Sequence, residues 1–261
     1  MYKRQGIGYL GLGMVIGSAV APGIGVTISE NFGMRMTFLM SAVLTVAALV
    51  ILCLLHEEKK ENKEKKKIVF SDILAVEALP YTIVAGSYSF INGIIASYLV
   101  MYADELGISG VSVYFTVCAA VLFIVRPFSG KLMDKKGIRV TVLPGLALTA
   151  SSMFILGRST SLILILITGV LRSVGQGAAQ PSLQAGCINK VGTGRSGVAT
   201  STYYLGGDIF QGIGPMIGGA VIGAVAGIAG YRTLFDLSGV LMLCACLLYT
   251  SDAADELDGV D

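Results

Sequence analysis

Apolar runs alternate with short polar breaks along almost the whole chain, at residues 6–29, 36–55, 79–101, 111–133, 140–156, 162–188, 197–228 and from 234 onward. A helix of about 20 apolar residues covers ~30 Å, the thickness of a hydrocarbon core. The pattern therefore predicts about eight membrane-crossing helices. One break is unlike the rest. Residues 57–67 read EEKKENKEKKK, too polar to pack in a core or enter hydrocarbon, and are expected to form a water-exposed linker. Beyond it, Val69, Phe70, Ile73 and Leu74 stand among Ser71, Asp72 and Glu77. Residues 68–78 thus have the make-up of a short amphipathic piece at a membrane interface.

Composition narrows the class. The chain is 54% hydrophobic and 14% charged, with a mean hydropathy of +0.76. A soluble globule needs more polar surface than this, so the expected class is an all-α integral membrane protein. Many of the 34 glycines fall inside the apolar runs, where they suit close helix contacts. Cys53, Cys118, Cys187, Cys244 and Cys246 lack metal or redox spacing, and His56, the single histidine, abuts the linker. With no plausible nucleophile–base set, metal cluster or phosphate loop in the sequence, neither an enzyme nor a cofactor nor a nucleic-acid partner is expected.

Charge sets the orientation, because lysine-rich connections stay on the cytoplasmic side. With 57–67 inside, the inner connections carry Lys59, Lys60, Lys63, Lys65, Lys66, Lys67, Lys131, Lys135, Lys136, Arg139, Lys190 and Arg195. The outer ones carry Arg35, Arg158 and Arg232. The asymmetry agrees with a multi-pass topology counted from a cytoplasmic linker. Residues 1–5 (MYKRQ) and 246–256 (CLLYTSDAADE) resemble translations, in opposite directions, of a transposase adaptor used to build sequencing libraries, and 257–261 continue the second. Set aside as an assembly artefact, they leave 6–56 as the remnant of one bundle, 57–78 as linker and 79–245 as a six-helix bundle. The natural protein is then expected to be longer at both ends.

Ala21-Pro22-Gly23-Ile24-Gly25 in the first span corresponds to Gly214-Pro215-Met216-Ile217-Gly218 in the seventh. Paired elements in different halves imply a duplicated bundle, a construction of secondary transporters, although Gly and Pro are also more frequent in membrane helices generally. Gly17-Ser18-Ala19-Val20-Ala21-Pro22-Gly23-Ile24-Gly25 resembles the antiporter motif in the fifth helix of the major facilitator superfamily, in its drug or small-molecule:proton antiporter branch, with Ala21 where a glycine is usual. Arg126-Pro127-Phe128-Ser129-Gly130-Lys131-Leu132-Met133-Asp134-Lys135-Lys136-Gly137-Ile138-Arg139 resembles that family's cytoplasmic loop motif, in its second copy.

The resemblance covers 6–245 and implies helices 5 to 12 of a partial major facilitator fold, monomeric in a bacterial cytoplasmic membrane. It further implies export of a small organic or drug-like molecule, with the proton as coupling ion. Gly17, Pro22, Gly25, Gly214, Pro215 and Gly218 would lie at the seam between two bundles. The loop would latch the halves together. In it Gly130 would allow close approach, Asp134 would meet a helix N-terminus or Arg139, Gly137 would permit the tight turn, and Arg126 would belong with the latch. A plain basic turn, an importer or facilitator of the same fold, and a non-transporting scaffold are the other readings.

Charge inside the spans supplies the candidate chemistry. Arg172 and Asp208 each lie ten or eleven residues from a span end, so both are ~15 Å deep. As antiparallel neighbours they are expected to be able to pair, either to fix packing or to serve transport. Gln176 and Gln180 follow Arg172 at four-residue steps and share its face. Tyr81, Tyr88 and Asn92 add polar groups in the third span, and Tyr203 and Gln211 in the seventh. Tyr88, Asn92, Arg172, Gln176, Gln180 and Asp208 are the cavity candidates. In the resembled fold, helices 7 and 10 line the central cavity. Interhelical hydrogen bonding without a substrate is the competing account.

Overall fold

A computed structural model describes residues 28, 32–54 and 74–258. The expectations for Gly17, Pro22, Gly25 and the linker 57–67 lie outside the described residues. The chain divides into two units between residues 68 and 69.

The first unit contributes α1 (Met34–Leu54), 21 residues or about 32 Å of helix. Two of its three hydroxyls, those of Ser41 and Thr45, are turned back on their own ladder, whereas Thr37 Oγ1 has no partner among the described residues. Ser41 Oγ donates to the Thr37 carbonyl at 3.0 Å, and Thr45 Oγ1 to that of Ser41 at 2.8 Å. A helix in hydrocarbon has to satisfy its polar groups in this internal way.

The second unit opens with a 3₁₀ turn, Val76–Ala78, followed by α2 (Leu79–Glu105), α3 (Val113–Lys136), α4 (Arg139–Leu156), α5 (Leu162–Val191), α6 (Ser196–Ala224) and α7 (Ile228–Asp258). Among the described residues every regular element is helical. The breaks follow local chemistry. Pro80 sits in the first turn of α2, where its missing N–H costs nothing. Gly137 and Gly192 end α3 and α5 at φ of 85° and 92°, a region costly for residues with a Cβ. Ser161 Oγ accepts from the Leu164 amide to cap α5.

Six described helices are long and apolar enough to cross a membrane, against the eight expected. The first expected span lies outside the described residues except for residue 28. The seventh, α6, has the length at 29 residues, but glycines together with Asp208 and Gln211 dilute its apolar character. It packs into the bundle along α2. In this unit α2 lies along α6, α5 lies between α3 and α4, and α7 covers α4 and α2.

Small residues set these contacts. A Cβ at Gly175 would stand 2.4 Å from the Gly145 carbonyl oxygen, and one at Gly145 would stand 2.7 Å from that of Gly175. The α4–α5 crossing is therefore backbone against backbone. Proline supplies a second device. Pro181 has no N–H for the Gly177 carbonyl one turn earlier, and Ser129 Oγ of α3 donates to that carbonyl at 3.0 Å. At one end of the bundle the Tyr102 hydroxyl lies 3.2–3.3 Å from the carbonyls of Leu156, Gly157 and Ser159, where α4 finishes. Its ring packs on Tyr231 and Phe235 of α7.

Two of the expected glycine positions are placed within this unit alone, and one expected ion pair does not form. Gly214 and Gly218 face α2, against the Phe90 carbonyl and the Tyr98 ring, and Tyr98 donates to the Pro215 carbonyl at 2.6 Å. Their small size serves contact inside this unit. Gly130 has no described atom within 4 Å of where a Cβ would lie, so no described helix makes the close approach expected there. Asp208 is exposed on α6 and forms no ion pair with Arg172, because equal depth on two helices does not fix which way each side chain faces.

Candidate functional site

Arg172 lies eleven residues into α5, about 15 Å from its start, and is 6% exposed. Helix geometry tilts side chains toward the N-terminus of their own helix, and here that carries the guanidinium toward Tyr114 in the first turn of α3. Nε donates to the Tyr114 hydroxyl at 3.1 Å, and the guanidinium carbon stands 5.8 Å from the centre of that ring. Nη1 donates to Asn92 Oδ1 of α2 and, at 3.0 Å, to Gln176 Oε1 one turn along α5.

The chain of bonds continues from there. Gln176 Nε2 donates to Gln180 Oε1 at 3.2 Å, and the Tyr203 hydroxyl of α6 donates to the Gln180 carbonyl at 3.0 Å. Four helices thus meet around one polar line inside an apolar bundle. Arg172 makes its bonds to neutral groups, and among the described residues no carboxylate lies within 4.0 Å of it.

Of the six cavity candidates, Asn92, Arg172, Gln176 and Gln180 come together. Tyr88 does not join them. It is 1% exposed, its hydroxyl has no hydrogen-bond partner, and it sits by the position a Cβ of Gly145 would take, toward α4. Asp208 stands apart on the exposed face of α6. Tyr114 is the participant that sequence reasoning missed. Its partner lies 58 residues away, and the one available signal was a tyrosine in the first turn of an otherwise apolar span.

Arg126 is a second interior cation. Its Nε is buried without a hydrogen-bond partner, and it lies within electrostatic range of Tyr203 and Tyr204 of α6. The parallel register of α3 and α5 is set by Cys118 against Gly169 and Ser129 against Gly177. It places the Arg126 backbone about one helical turn beyond that of Arg172, while the two side chains face different partners, Tyr203 and Tyr204 for Arg126 and Tyr114, Asn92 and Gln176 for Arg172. Farther along α3, Asp134 is exposed, Gly137 makes the turn and Arg139 opens α4.

Residues 3–215 match the family model of the Major Facilitator Superfamily. An uncharacterized MFS-type transporter of Methanocaldococcus jannaschii is 23% identical over 249 residues, covering 90% of this chain and 63% of that protein. Multidrug resistance protein MdtG of Proteus mirabilis is 30% identical over 58% of this chain and 38% of its own length. MdtG of Escherichia fergusonii is 29% identical over 62% of the chain and 41% of its own length. The chain therefore spans less than two thirds of each of these relatives. A bundle of membrane-length helices, a buried polar line at its centre and a family match over most of the sequence lead to one identification: the chain belongs to the Major Facilitator Superfamily.

Proposed function

We propose that this chain is part of a secondary active transporter that exports a small organic or drug-like molecule by proton antiport. The observation that carries the reading is the Arg172–Asn92–Gln176–Gln180 line, a polar site of four side chains from two helices inside an otherwise apolar bundle. An ionisable group at such depth is by default a candidate for a pathway or substrate site. The multidrug resistance proteins MdtG among its relatives support multidrug export.

In this reading α2–α7 are helices 7 to 12 of two six-helix bundles that rock about the site. The loop from Arg126 to Arg139 latches the halves on the cytoplasmic side. The linker 57–67 is cytoplasmic, the membrane is a bacterial cytoplasmic one, and the protein works as a monomer. Importer, facilitator and scaffold readings differ in the direction of flux, in its coupling to the gradient and in whether there is flux at all. The complete reading frame that contains this chain is expressed, and accumulation of a fluorescent drug is followed in inverted vesicles. Uptake that appears with an acid interior and collapses with nigericin is the expected result. Flux indifferent to the gradient would make it a facilitator, flux in the opposite sense an importer, and no flux a scaffold.

A further inference from the structure

We infer that the interior site selects an organic anion, whose acid group docks on the free edge of Arg172. The inference rests on the transport reading and names its substrate class. A guanidinium carries its charge at every accessible pH, and taking it out of water is costly unless an anion or a full set of acceptors compensates. Here neither compensation is complete. Arg172 uses Nε and Nη1 on Tyr114, Asn92 and Gln176, its other terminal nitrogen, Nη2, meets no oxygen acceptor among the described residues, and the Cys118 thiol is a further neutral neighbour of the guanidinium. The described ion pairs are Arg158–Asp236 and Arg195–Glu77, and neither involves Arg172.

A buried cation held among neutral polar groups leaves a local excess of positive charge. The neutral partners fix the orientation of Arg172 without quenching it. That is the arrangement expected of a receptor for carboxylate, sulfonate or phosphonate oxygens, which an arginine edge meets with charge-assisted bonds.

The test uses the chain in phosphatidylcholine nanodiscs and three matched probes: pyrenebutyrate, pyrenebutanol and (pyrenebutyl)trimethylammonium. Binding is measured by equilibrium dialysis, with empty nanodiscs subtracted. The anion is expected to bind at least about 10-fold more tightly than the other two. Arg172→Gln should erase that preference, and Arg172→Lys should keep part of it. Equal binding of the three probes, preference for the cation, no binding at all, or a preference that survives Arg172→Gln would overturn the inference. The wild-type comparison decides the matter even if a variant fails to fold. Including phosphatidylglycerol separates a lipid headgroup from a free organic acid. Retention of that lipid by native mass spectrometry, with no selectivity among the probes, would assign the anion to the membrane and overturn the substrate assignment. Flux of the cationic or neutral probe in proteoliposomes without anion selectivity would leave transport standing and remove this inference. Selective anion binding that never becomes flux would do the reverse.

Discussion

Helix α5 meets its neighbours in two very different ways. Toward α4 its middle is glycine-lined, with Gly175 and Gly145 pressed backbone to backbone, and one buried hydrogen bond, Thr141 Oγ1 to Ser182 Oγ at 2.7 Å, closes the contact farther along. Toward α2 and α3 it presents Arg172 and Gln176 to Asn92 and Tyr114. The first contact has no room for a single added carbon. The second has polar capacity left over. The difference separates what the helix needs in order to fold from what it holds in reserve for a ligand: dispersion and close approach hold α4 in place, whereas a buried guanidinium contributes little net stability after its desolvation cost.

Substitution at the glycine-lined contact should have the largest effect. Gly175→Val places a Cβ 2.4 Å from the Gly145 carbonyl oxygen and 2.5 Å from Thr149 Oγ1. Overpacking of this kind costs roughly 1–3 kcal/mol or more, so the variant should lose its monodisperse peak in detergent or unfold at a clearly lower temperature. A stable, well-behaved Gly175→Val protein would show that the crossing is looser than described and would break the comparison.

A smaller effect is expected at the polar contact. Tyr114→Phe keeps the ring against Gly169 and removes the hydroxyl that accepts from Arg172 Nε. Loss of one such bond costs on the order of 1 kcal/mol. Thermal unfolding should move by a few degrees at most, while selectivity among charged probes should change because the guanidinium has lost one of its three anchors. A shift as large as that of Gly175→Val would place the site with the packing and erase the distinction.

The smallest effect belongs to the end of the bundle. Arg158 pairs with Asp236 at 2.6 Å, but its side chain is 64% exposed, and the carboxylate beside it raises the arginine above its ordinary range. Exposed pairs are screened by water and salt. Arg158→Ala should leave both the unfolding midpoint and probe binding within error, and any difference should vanish at high salt. A marked loss of stability would mean that the charged rim matters as much as the interior.

The sequence made much of this visible, for reasons that are local. Helices follow from the length of apolar runs, their ends from Gly137, Gly192 and Pro80, and the shared face of Arg172, Gln176 and Gln180 from their spacing of four. What was not visible depends on azimuth and on distant partners. Depth alone suggested Arg172 with Asp208, yet Asp208 faces away and neutral groups take its place. Tyr88 had the same polar character as Asn92 but turns toward α4. Tyr114 and Ser129 find their partners only once the register of α3 along α5 is known. Gly130 carried the right residue type for close approach, and no described helix comes near it.

The splice at Pro181 has a mechanical outcome. One rung of the α5 ladder is missing, and its load passes to a hydroxyl belonging to α3. Torque applied to the far end of α5 is therefore shared sideways with its neighbour as well as borne along its own axis. The two helices should turn as a coupled pair, with Ser129 as the rivet between them.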